Sequence, residues 1–326
     1  MKLIRIVVAM SLLATSFLPL ANADTASSYP DKAVRMVVPW PPGGSTDLIA
    51  RMMAKKLNEQ WKVPVVVENR PGAGGIVGSG AIAQAAPDGY TFGWIISTHA
   101  VNPSLHKALP YDSKKDFSPI ALVASMPNYL VVSSNVPATD FPGLVELMKK
   151  QPGSMTFASA GNGTSTHLSG ELFKQTADVD IVHVPYKGGS PAITDLTGGH
   201  VDLMFANSGS ILPFIRSGKV RSLAVTSASR NNEFPETPTV AESGYAGFEV
   251  NEWYGLAAPA GTPDEILEKI QRDVLIAAED PEFQSTITNQ FGGELTLMDR
   301  RKFGEFIESE TELWGKVIES SGIVAQ

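Results

Sequence analysis

The stretch that most constrains this chain is the junction at residues 34–47, where an apolar run passes through a Pro/Gly loop into a predicted helix. Val34 to Pro39 has the composition of a buried strand, and Ser45, Thr46 and Asp47 are residue types that cap helix N-termini. Glycine lets a ligand approach the backbone closely, and a helix N-terminus has unpaired N–H groups and a positive dipole end. The junction therefore predicts either an anion site without a cationic side chain or a plain strand-to-helix connection.

The same strand-to-loop unit recurs along the chain. Predicted buried strands end in polar loops at 97–99, 159–166 and 206–210, each rich in glycine or hydroxyl residues. In open α/β sheets, ligand sites lie beyond the carboxyl ends of the strands. The pattern predicts an α/β fold with its binding site at these strand ends. The loop at 159–166 either supplies hydrogen-bond donors to a carboxylate or only caps the helix that follows it.

A length of 326 residues is sufficient for two domains. The segments 117–124 and 129–133 are predicted as two separate apolar stretches, and the crossover into a second domain is placed between them, at 126–128. A linker rich in Pro, Glu and Gly at 231–247 precedes a segment that returns to the first domain. The predicted lobes are 24–124 plus 247–326, and 125–246.

Three helices are predicted after residue 260. Thr262 and Glu265 have the spacing of a capping box, with Pro263 at the first helical position. Asp280-Pro281 predicts a second helix start. An apolar stripe predicts a last helix from about Asp299 to Ser320.

Residues 1–23 are predicted to be a cleaved secretory signal. Lys2 and Arg5 precede an apolar run at 6–20, and Ala21-Asn22-Ala23 is a small-x-small cleavage site. The apolar run is shorter than the roughly 20 residues of a membrane span, which argues against an anchor. The chain has no cysteine, so it lacks the residue that carries lipid in a bacterial lipoprotein. We therefore expect a periplasmic protein without a lipid anchor.

Charge and motif content limit the function. The net charge is −8, and loss of the two basic residues of the signal would make it −10, so nucleic acid is not expected as a partner. The sequence has no G-x-S-x-G elbow, Walker loop, H-E-x-x-H motif or thiol, and its five histidines include no i, i+4 pair. We expect no enzyme, cofactor or metal. The alternative is a hydrolase whose Ser, His and Asp come from distant segments.

Several motifs together resemble one family, the periplasmic solute receptors of tripartite tricarboxylate transporters, also called the Bug family. The resemblance extends from Tyr29 to the C-terminus. Its markers are YPDKxVRxVVPWPPGGSTD at 29–47, VENRPGAGG at 67–75, PDGYT at 87–91, YDxxKDF at 111–117, HVPYKG at 183–188 and PTVAESG at 238–244.

The resemblance implies a two-lobed periplasmic binding protein of type II, with two αβα domains joined by crossing strands. Such a protein closes like a flytrap around a small organic carboxylate and delivers it to the permease subunits of the transporter. We expect a monomer. The alternative partner is a membrane sensor to which the receptor reports its ligand.

The same resemblance implies where the ligand binds. The implied segments are the loop from Trp40 to Asp47 in lobe one and the loop from Ser159 to Ser165 in lobe two, with Tyr186 to Gly188 as a further wall or a mere turn. Trp40 departs from the family pattern, because phenylalanine or a smaller residue is usual there. Its ring either narrows the pocket, stacks on an aromatic acid or packs inside lobe one. The candidate ligand-binding residues are Trp40, Pro41, Gly43, Gly44, Ser45, Thr46, Asp47, Ser97, Thr98, His99, Ser159, Ala160, Gly161, Asn162, Gly163, Thr164, Ser165, Tyr186, Lys187, Gly188 and Asn207.

Overall fold

A computed structural model describes residues 29–231 and 234–321. The predicted signal at 1–23 lies outside the described residues. Within those two ranges, no helix combines the length and the apolar character needed to cross a bilayer.

The described chain alternates strands and helices, as its sequence predicts. The strands are β1 (Val34–Val38), β2 (Val65–Asn69), β3 (Thr91–Ile96), β4 (Phe117–Ser133), β5 (Thr156–Ser159), β6 (Val182–Pro185), β7 (Leu203–Asn207), β8 (Val220–Val225), β9 (Asn251–Pro259) and β10 (Glu294–Met298). The α-helices are α1 (Ser45–Trp61), α2 (Ile76–Ala83), α3 (Thr98–Leu105), α4 (Phe141–Lys150), α5 (Ser165–Ala177), α6 (Gly189–Thr197), α7 (Ser208–Arg216), α8 (Asp264–Ala278), α9 (Pro281–Ser285) and α10 (Arg300–Ser321). A 3-10 turn (Ala73–Gly75) precedes α2, and a π-helical turn (Thr286–Gln290) follows α9.

All ten strands belong to one mixed sheet, in the order β2-β1-β3-β9-β4-β7-β5-β6, with β8 and β10 also paired to β4. The strands β2, β1 and β3 are parallel, as are β6, β5 and β7. The strand β9 is antiparallel to both β3 and β4. Two parallel units are thus joined through antiparallel strands in the middle.

Strand β4 serves both units. Its residues 117–127 pair with β9, and its residues 128–133 pair with β7 and β8. We call β1, β2, β3, β9, β10 and residues 117–127 the first half, and β5 to β8 with residues 128–133 the second half. The prediction of two separate segments, 117–124 and 129–133, was wrong. Pro127 lacks a backbone N–H but lies where the pairing changes partner, so the strand continues through it.

Each half has its own apolar core. Met36, Phe92 and Leu256 belong to a cluster in the first half, whereas Phe157, Phe173 and Phe205 belong to one in the second. Helix α10 packs on both halves, since Phe303 contacts Trp253 of β9 while Trp314 and Ile318 join the core of the second half.

The helix ends differ from two predictions. At α1 the N-cap is Gly44, without a side-chain hydrogen bond, so Ser45, Thr46 and Asp47 are the first helical residues and not the cap. The capping box before α8 is not formed, because the Thr262 hydroxyl donates to the Pro259 carbonyl. By contrast, Asp280 caps α9 as predicted, since its carboxylate accepts from the N–H groups of Glu282 and Phe283.

Helix α3 was not predicted. Its sequence contains Pro103, which lacks an N–H group and ordinarily ends or kinks a helix. In the structure α3 is short, and its buried face packs against α10. This tertiary contact outweighs the weak local preference of the segment.

Candidate functional site

A cavity of about 150 Å³ lies between the two halves, beyond the carboxyl ends of β1, β3 and β7. An apolar cavity of this volume holds a ring roughly the size of benzene, so the ligand is expected to be small. The residues lining the cavity are Trp40, Pro41, Pro42, Gly44, Ser45, Thr46, Ile96, Ala160, Thr164, Thr166, Lys187, Gly188, Gly189, Ser190, Pro191, Ile193, Met204, Asn207, Ser210, Glu252 and Tyr254.

Four helix N-termini converge on this cavity. Residues at the starts of α1, α5, α6 and α7 all contribute to its lining. Gly44 and Gly188 are the N-caps of α1 and α6, and no side-chain hydrogen bond caps either helix within the described chain. Free backbone N–H groups and the positive ends of helix dipoles therefore point to one small space, which is the arrangement that binds an anion without cationic side chains.

The two halves touch across the cavity. The Ser45 hydroxyl at the start of α1 donates to Asn207 Oδ1 at 2.9 Å, and its oxygen lies 3.0 Å from Ser210 Oγ. Tyr254 of β9 also lines the cavity, and burial raises the pKa of its hydroxyl well above the ordinary value. The structure thus has a closed arrangement, in which polar groups from both halves surround the cavity.

Two buried donors in the lining have no hydrogen-bond partner among the described residues. One is the indole Nε1 of Trp40, in the first half, and the other is the amide Nδ2 of Asn207, in the second. The orientation of the Asn207 amide is fixed, because its Oδ1 accepts from the Gly209 N–H at 3.2 Å as well as from Ser45. An unpaired buried donor costs about 1–3 kcal/mol, so each of these two groups would be stabilised by an acceptor on a bound ligand.

The lining residues in the described chain include two charged side chains, Lys187 and Glu252. Lys187 is exposed at the rim, whereas Glu252 of β9 is 6% exposed. The Glu252 carboxylate accepts from the Ser97 N–H at 2.9 Å and from the Ser165 hydroxyl at 2.7 Å. Burial raises the pKa of Glu252, an effect that these hydrogen bonds oppose.

Of the predicted site residues, ten line this cavity. They are Trp40, Pro41, Gly44, Ser45, Thr46, Ala160, Thr164, Lys187, Gly188 and Asn207. Trp40 therefore faces the cavity with part of its ring, while also packing against the core of the first half. The other eleven predicted residues lie outside the lining and have structural contacts, described next.

Asp47 stabilises the first loop. It is 2% exposed, and its carboxylate accepts from the Gly43 N–H, from Asn69 Nδ2 and from two Arg51 nitrogens. Burial acts to raise the pKa of Asp47, yet the hydrogen bonds from Arg51, Gly43 and Asn69 outweigh it and hold the pKa below its ordinary value. The Asp47 carboxylate is thus fully used within the first half.

The second loop uses most of its polar groups internally. The Ser159 hydroxyl pairs with His183 Nε2 at 2.7 Å, and the Thr164 hydroxyl donates to the Gly161 carbonyl at 2.7 Å. The Gly163 N–H donates to His167 Nδ1 at 3.1 Å. The Asn162 carbonyl faces Gly74 of the first half, and Ser165 binds Glu252 as described above.

The remaining predicted residues also have other contacts. Ser97 donates its N–H to Glu252, and Thr98 begins α3. His99 is buried, with its Nε2 at 3.1 Å from the Ser113 carbonyl, and it lines a separate cleft beside α10. The Tyr186 hydroxyl donates to Asp195 Oδ2 at 2.7 Å.

Eleven lining residues were not among the predicted ones. Those in the recognised loops, such as Ser190 and Ser210, had the same glycine and hydroxyl signal as their neighbours. Glu252 and Tyr254 had a weaker signal, a polar residue two positions from an aromatic one in an otherwise apolar strand. The full set is Pro42, Ile96, Thr166, Gly189, Ser190, Pro191, Ile193, Met204, Ser210, Glu252 and Tyr254.

The site has no metal-binding constellation in the described ranges, where no three His, Asp or Glu side chains are grouped to hold an ion. Its hydrogen-bonding side chains and backbone groups include N–H groups, hydroxyls, the Asn207 amide, the buried Glu252 carboxyl and, at the rim, the Lys187 ammonium.

Comparison with known proteins agrees with this geometry. Residues 49–323 match the tripartite tricarboxylate transporter family receptor. The periplasmic binding protein BugD is 35% identical, with a TM-score of 0.86 and coverage of 91% of this chain and 100% of that one. Rpa4515 of R. palustris, solved with adipate, is 33% identical, with a TM-score of 0.88 over 91% of this chain and 100% of that one. MatC (Rpa3494) of Rhodopseudomonas palustris, solved with malate, is 30% identical, with a TM-score of 0.83 over 89% of this chain and 100% of that one. This chain therefore belongs to the tripartite tricarboxylate transporter receptor family, which includes the Bug proteins, and has their two-lobed periplasmic binding fold.

Proposed function

We propose that this protein captures a small organic carboxylate between its two halves in the periplasm and delivers it to the membrane permease of a tripartite tricarboxylate transporter. The observation that carries the proposal is the convergence of four helix N-termini, two of them without a side-chain cap, on one small cavity. The relatives solved with adipate and with malate support a carboxylate as the ligand class.

The donors of both halves suggest how binding would drive closure. A carboxylate that accepts from Trp40 Nε1 and from Asn207 Nδ2 would satisfy one buried donor in each half. The ligand would then stabilise the closed arrangement over an open one by these additional contacts. The permease would recognise the surface that only the closed form presents.

We propose release of the ligand unchanged. The described chain contains one hydroxyl–imidazole pair that resembles part of a hydrolase triad, Ser159 with His183. Ser159 is fully buried, and neither residue lines the cavity. Recovery of every bound acid chemically intact after a day, measured by mass spectrometry, is the expected result. A converted product would contradict this part of the proposal.

The proposed lobes are 24–124 plus 247–326, and 125–246, with a cleaved signal at 1–23 and a monomeric mature protein. Expression of the full chain in a Gram-negative host tests the signal and the location together. We expect the periplasmic fraction to contain a protein that begins at Asp24, found by N-terminal sequencing, and that elutes as a monomer. Retention in the membrane fraction would contradict the proposed location.

Isothermal titration of protein that has been unfolded, dialysed and refolded tests the ligand class. The panel consists of succinate, malate, adipate, citrate and benzoate, with glucose and putrescine as a neutral and a cationic control. We expect at least one carboxylate to bind at one per chain and neither control to bind. Absence of binding by any carboxylate, in protein whose melting curve shows that it has refolded, would contradict the proposed function.

A further inference from the structure

Glu252 is an unusual group to find in a cavity that otherwise suits an anion. It lies on β9, two residues before Tyr254, so both side chains face the cavity from the same side of the strand. Among the described residues, no Lys, Arg or His nitrogen lies within ion-pair distance of its carboxylate. An ionised Glu252 and a ligand carboxylate in a cavity of about 150 Å³ repel each other unless a donor lies between them.

The carboxylate of Glu252 has acceptor capacity to spare. A carboxylate has about four lone-pair positions. The structure uses two of them, one for the Ser97 N–H and one for the Ser165 hydroxyl. These two donors come from opposite halves, so they fix the carboxyl group at the place where the halves meet.

We propose that Glu252 accepts a hydrogen bond from a hydroxyl or ammonium group of the ligand, and so selects hydroxy- or amino-carboxylates over unsubstituted ones. This inference rests on the proposed function, because it assigns the second polar group of the same carboxylate ligand. The solved relatives leave the point open, since adipate has no such donor whereas malate has a hydroxyl.

The donors and acceptors of the cavity are then complementary to a single kind of ligand. The ligand carboxylate accepts from the helix N-termini, Trp40 and Asn207, while its donor group faces Glu252. A ligand without the donor excludes water from the cavity but leaves the two remaining acceptor positions of the Glu252 carboxylate unpaired, and this penalty is the source of the selectivity. An ammonium group compensates the ionised Glu252 carboxylate more than a hydroxyl does, because the ammonium donor carries a full positive charge.

Three four-carbon dicarboxylates that differ only at carbon 2 test the inference by isothermal titration. They are succinate with hydrogen, L-malate with hydroxyl and L-aspartate with ammonium. A second series, adipate and 2-aminoadipate, covers a longer ligand. We expect the better of the donor-bearing acids to bind ~10-fold or more tightly than its unsubstituted counterpart, and the comparison of malate with aspartate identifies the donor.

The Glu252→Gln variant has nearly the same shape and can still accept from the Ser97 N–H, but its NH2 group replaces the oxygen that accepts from Ser165, and the negative charge is lost. We expect the preference for the donor-bearing acid to fall to less than about threefold, with succinate or adipate bound at least as tightly as by the wild type. The matched control is Glu249→Gln, which changes an exposed acid outside the cavity and is expected to keep the wild-type preference.

Several outcomes would overturn the inference. The inference is wrong if the wild type binds the unsubstituted acid with an affinity within threefold of that for both donor-bearing acids. This test needs no variant, so it can be made even if Glu252→Gln does not fold. An equal loss of affinity for all acids in Glu252→Gln would show that Glu252 only holds the halves together. In both cases a carboxylate still binds and the proposed function stands, whereas absence of any carboxylate binding contradicts the proposed function itself.

Discussion

The loops at 39–47 and 159–166 both connect a strand to a helix and both contain glycine and hydroxyl residues. Their polar groups form different hydrogen bonds. In the first loop the Asp47 carboxylate accepts from the Gly43 N–H, and the N-terminus of α1 faces the cavity without a side-chain cap. In the second loop Thr164, Ser159 and the Gly163 N–H bond within the second half. A hydroxyl-rich loop is therefore not by itself a ligand loop, because its hydroxyls can be used to hold its own backbone.

Acidification should distinguish the two loops most strongly. Burial lowers the pKa of His167 to about 3, helped by His183 and Lys174, and burial beside Lys174 lowers the pKa of His183 to about 4. A histidine that stays neutral in the fold but has a pKa near 6.5 when unfolded stabilises the fold fully above about pH 6.5. This contribution is lost as the pH falls from about 6.5 towards the folded values, by up to roughly 1.4 kcal/mol per pH unit for each histidine.

The expected result is that the second loop loosens first on acidification. Asp47 has a lowered pKa, so its contribution to the first loop persists in the same pH range. Hydrogen exchange at pH 7 and pH 5, corrected for the intrinsic rates, should show protection lost at 159–167 before 43–47. Exposed His200 offers a matched control, since His200→Gln should leave the effect unchanged. Equal loss of protection in both loops would contradict the assignment to the histidine pair.

A single added methyl group should separate stability from binding. In Gly163→Ala the new Cβ would lie 2.3 Å from Leu105 Cδ1, and the backbone φ of +76° is unfavourable for alanine. We expect a loss of roughly 2–4 kcal/mol in the free energy of unfolding. In Gly44→Ala the nearest atom would be the Pro41 carbonyl oxygen at 3.9 Å, so the loss should stay below about 1 kcal/mol.

The same two variants should differ in the opposite sense in their ligand affinity. Gly44 lines the cavity, so its added methyl group should weaken binding by about 1 kcal/mol, while Gly163 does not line it. Urea unfolding and isothermal titration on both variants measure the two effects. If Gly44→Ala proved as unstable as Gly163→Ala with unchanged affinity, the first loop would be no more open to the ligand than the second.

The smallest change concerns one atom of Asn207. The variant Asn207→Asp keeps the oxygen that accepts from Ser45 and Gly209 but replaces the unpaired Nδ2 donor with a negative charge. We expect carboxylate affinity to fall by about 2 kcal/mol in isothermal titration. The exposed Asn289→Asp serves as the charge-matched control and should bind normally. Wild-type affinity in Asn207→Asp would show that Nδ2 does not meet the ligand.

Local patterns predicted much of the fold, and the missing parts depend on distant pairing. Most strands and helices follow from apolar periodicity, and residues of the first loop line the cavity, while their contact with a ligand stays a prediction. The sequence predicted two segments in place of β4 because a proline ordinarily interrupts a strand. The strand continues because its pairing passes from β9 to β7 at Pro127. Glu252 meets Ser97 across 155 residues and Ser165 across 87, and no local pattern contains that information.

The pairing of β4 with β9 determines how the two halves can move. The last paired positions, Met126 with Glu252 and Pro127 with Asn251, lie at the point where β4 leaves the first half. A two-stranded antiparallel ribbon twists and bends readily, whereas sliding would break every rung of its hydrogen-bond ladder. The relative motion of the halves should thus be mainly a rotation, with its pivot near these rungs. Glu252 lies almost at that pivot, so we expect its carboxyl group to move less than the rest of the cavity lining when the halves rotate.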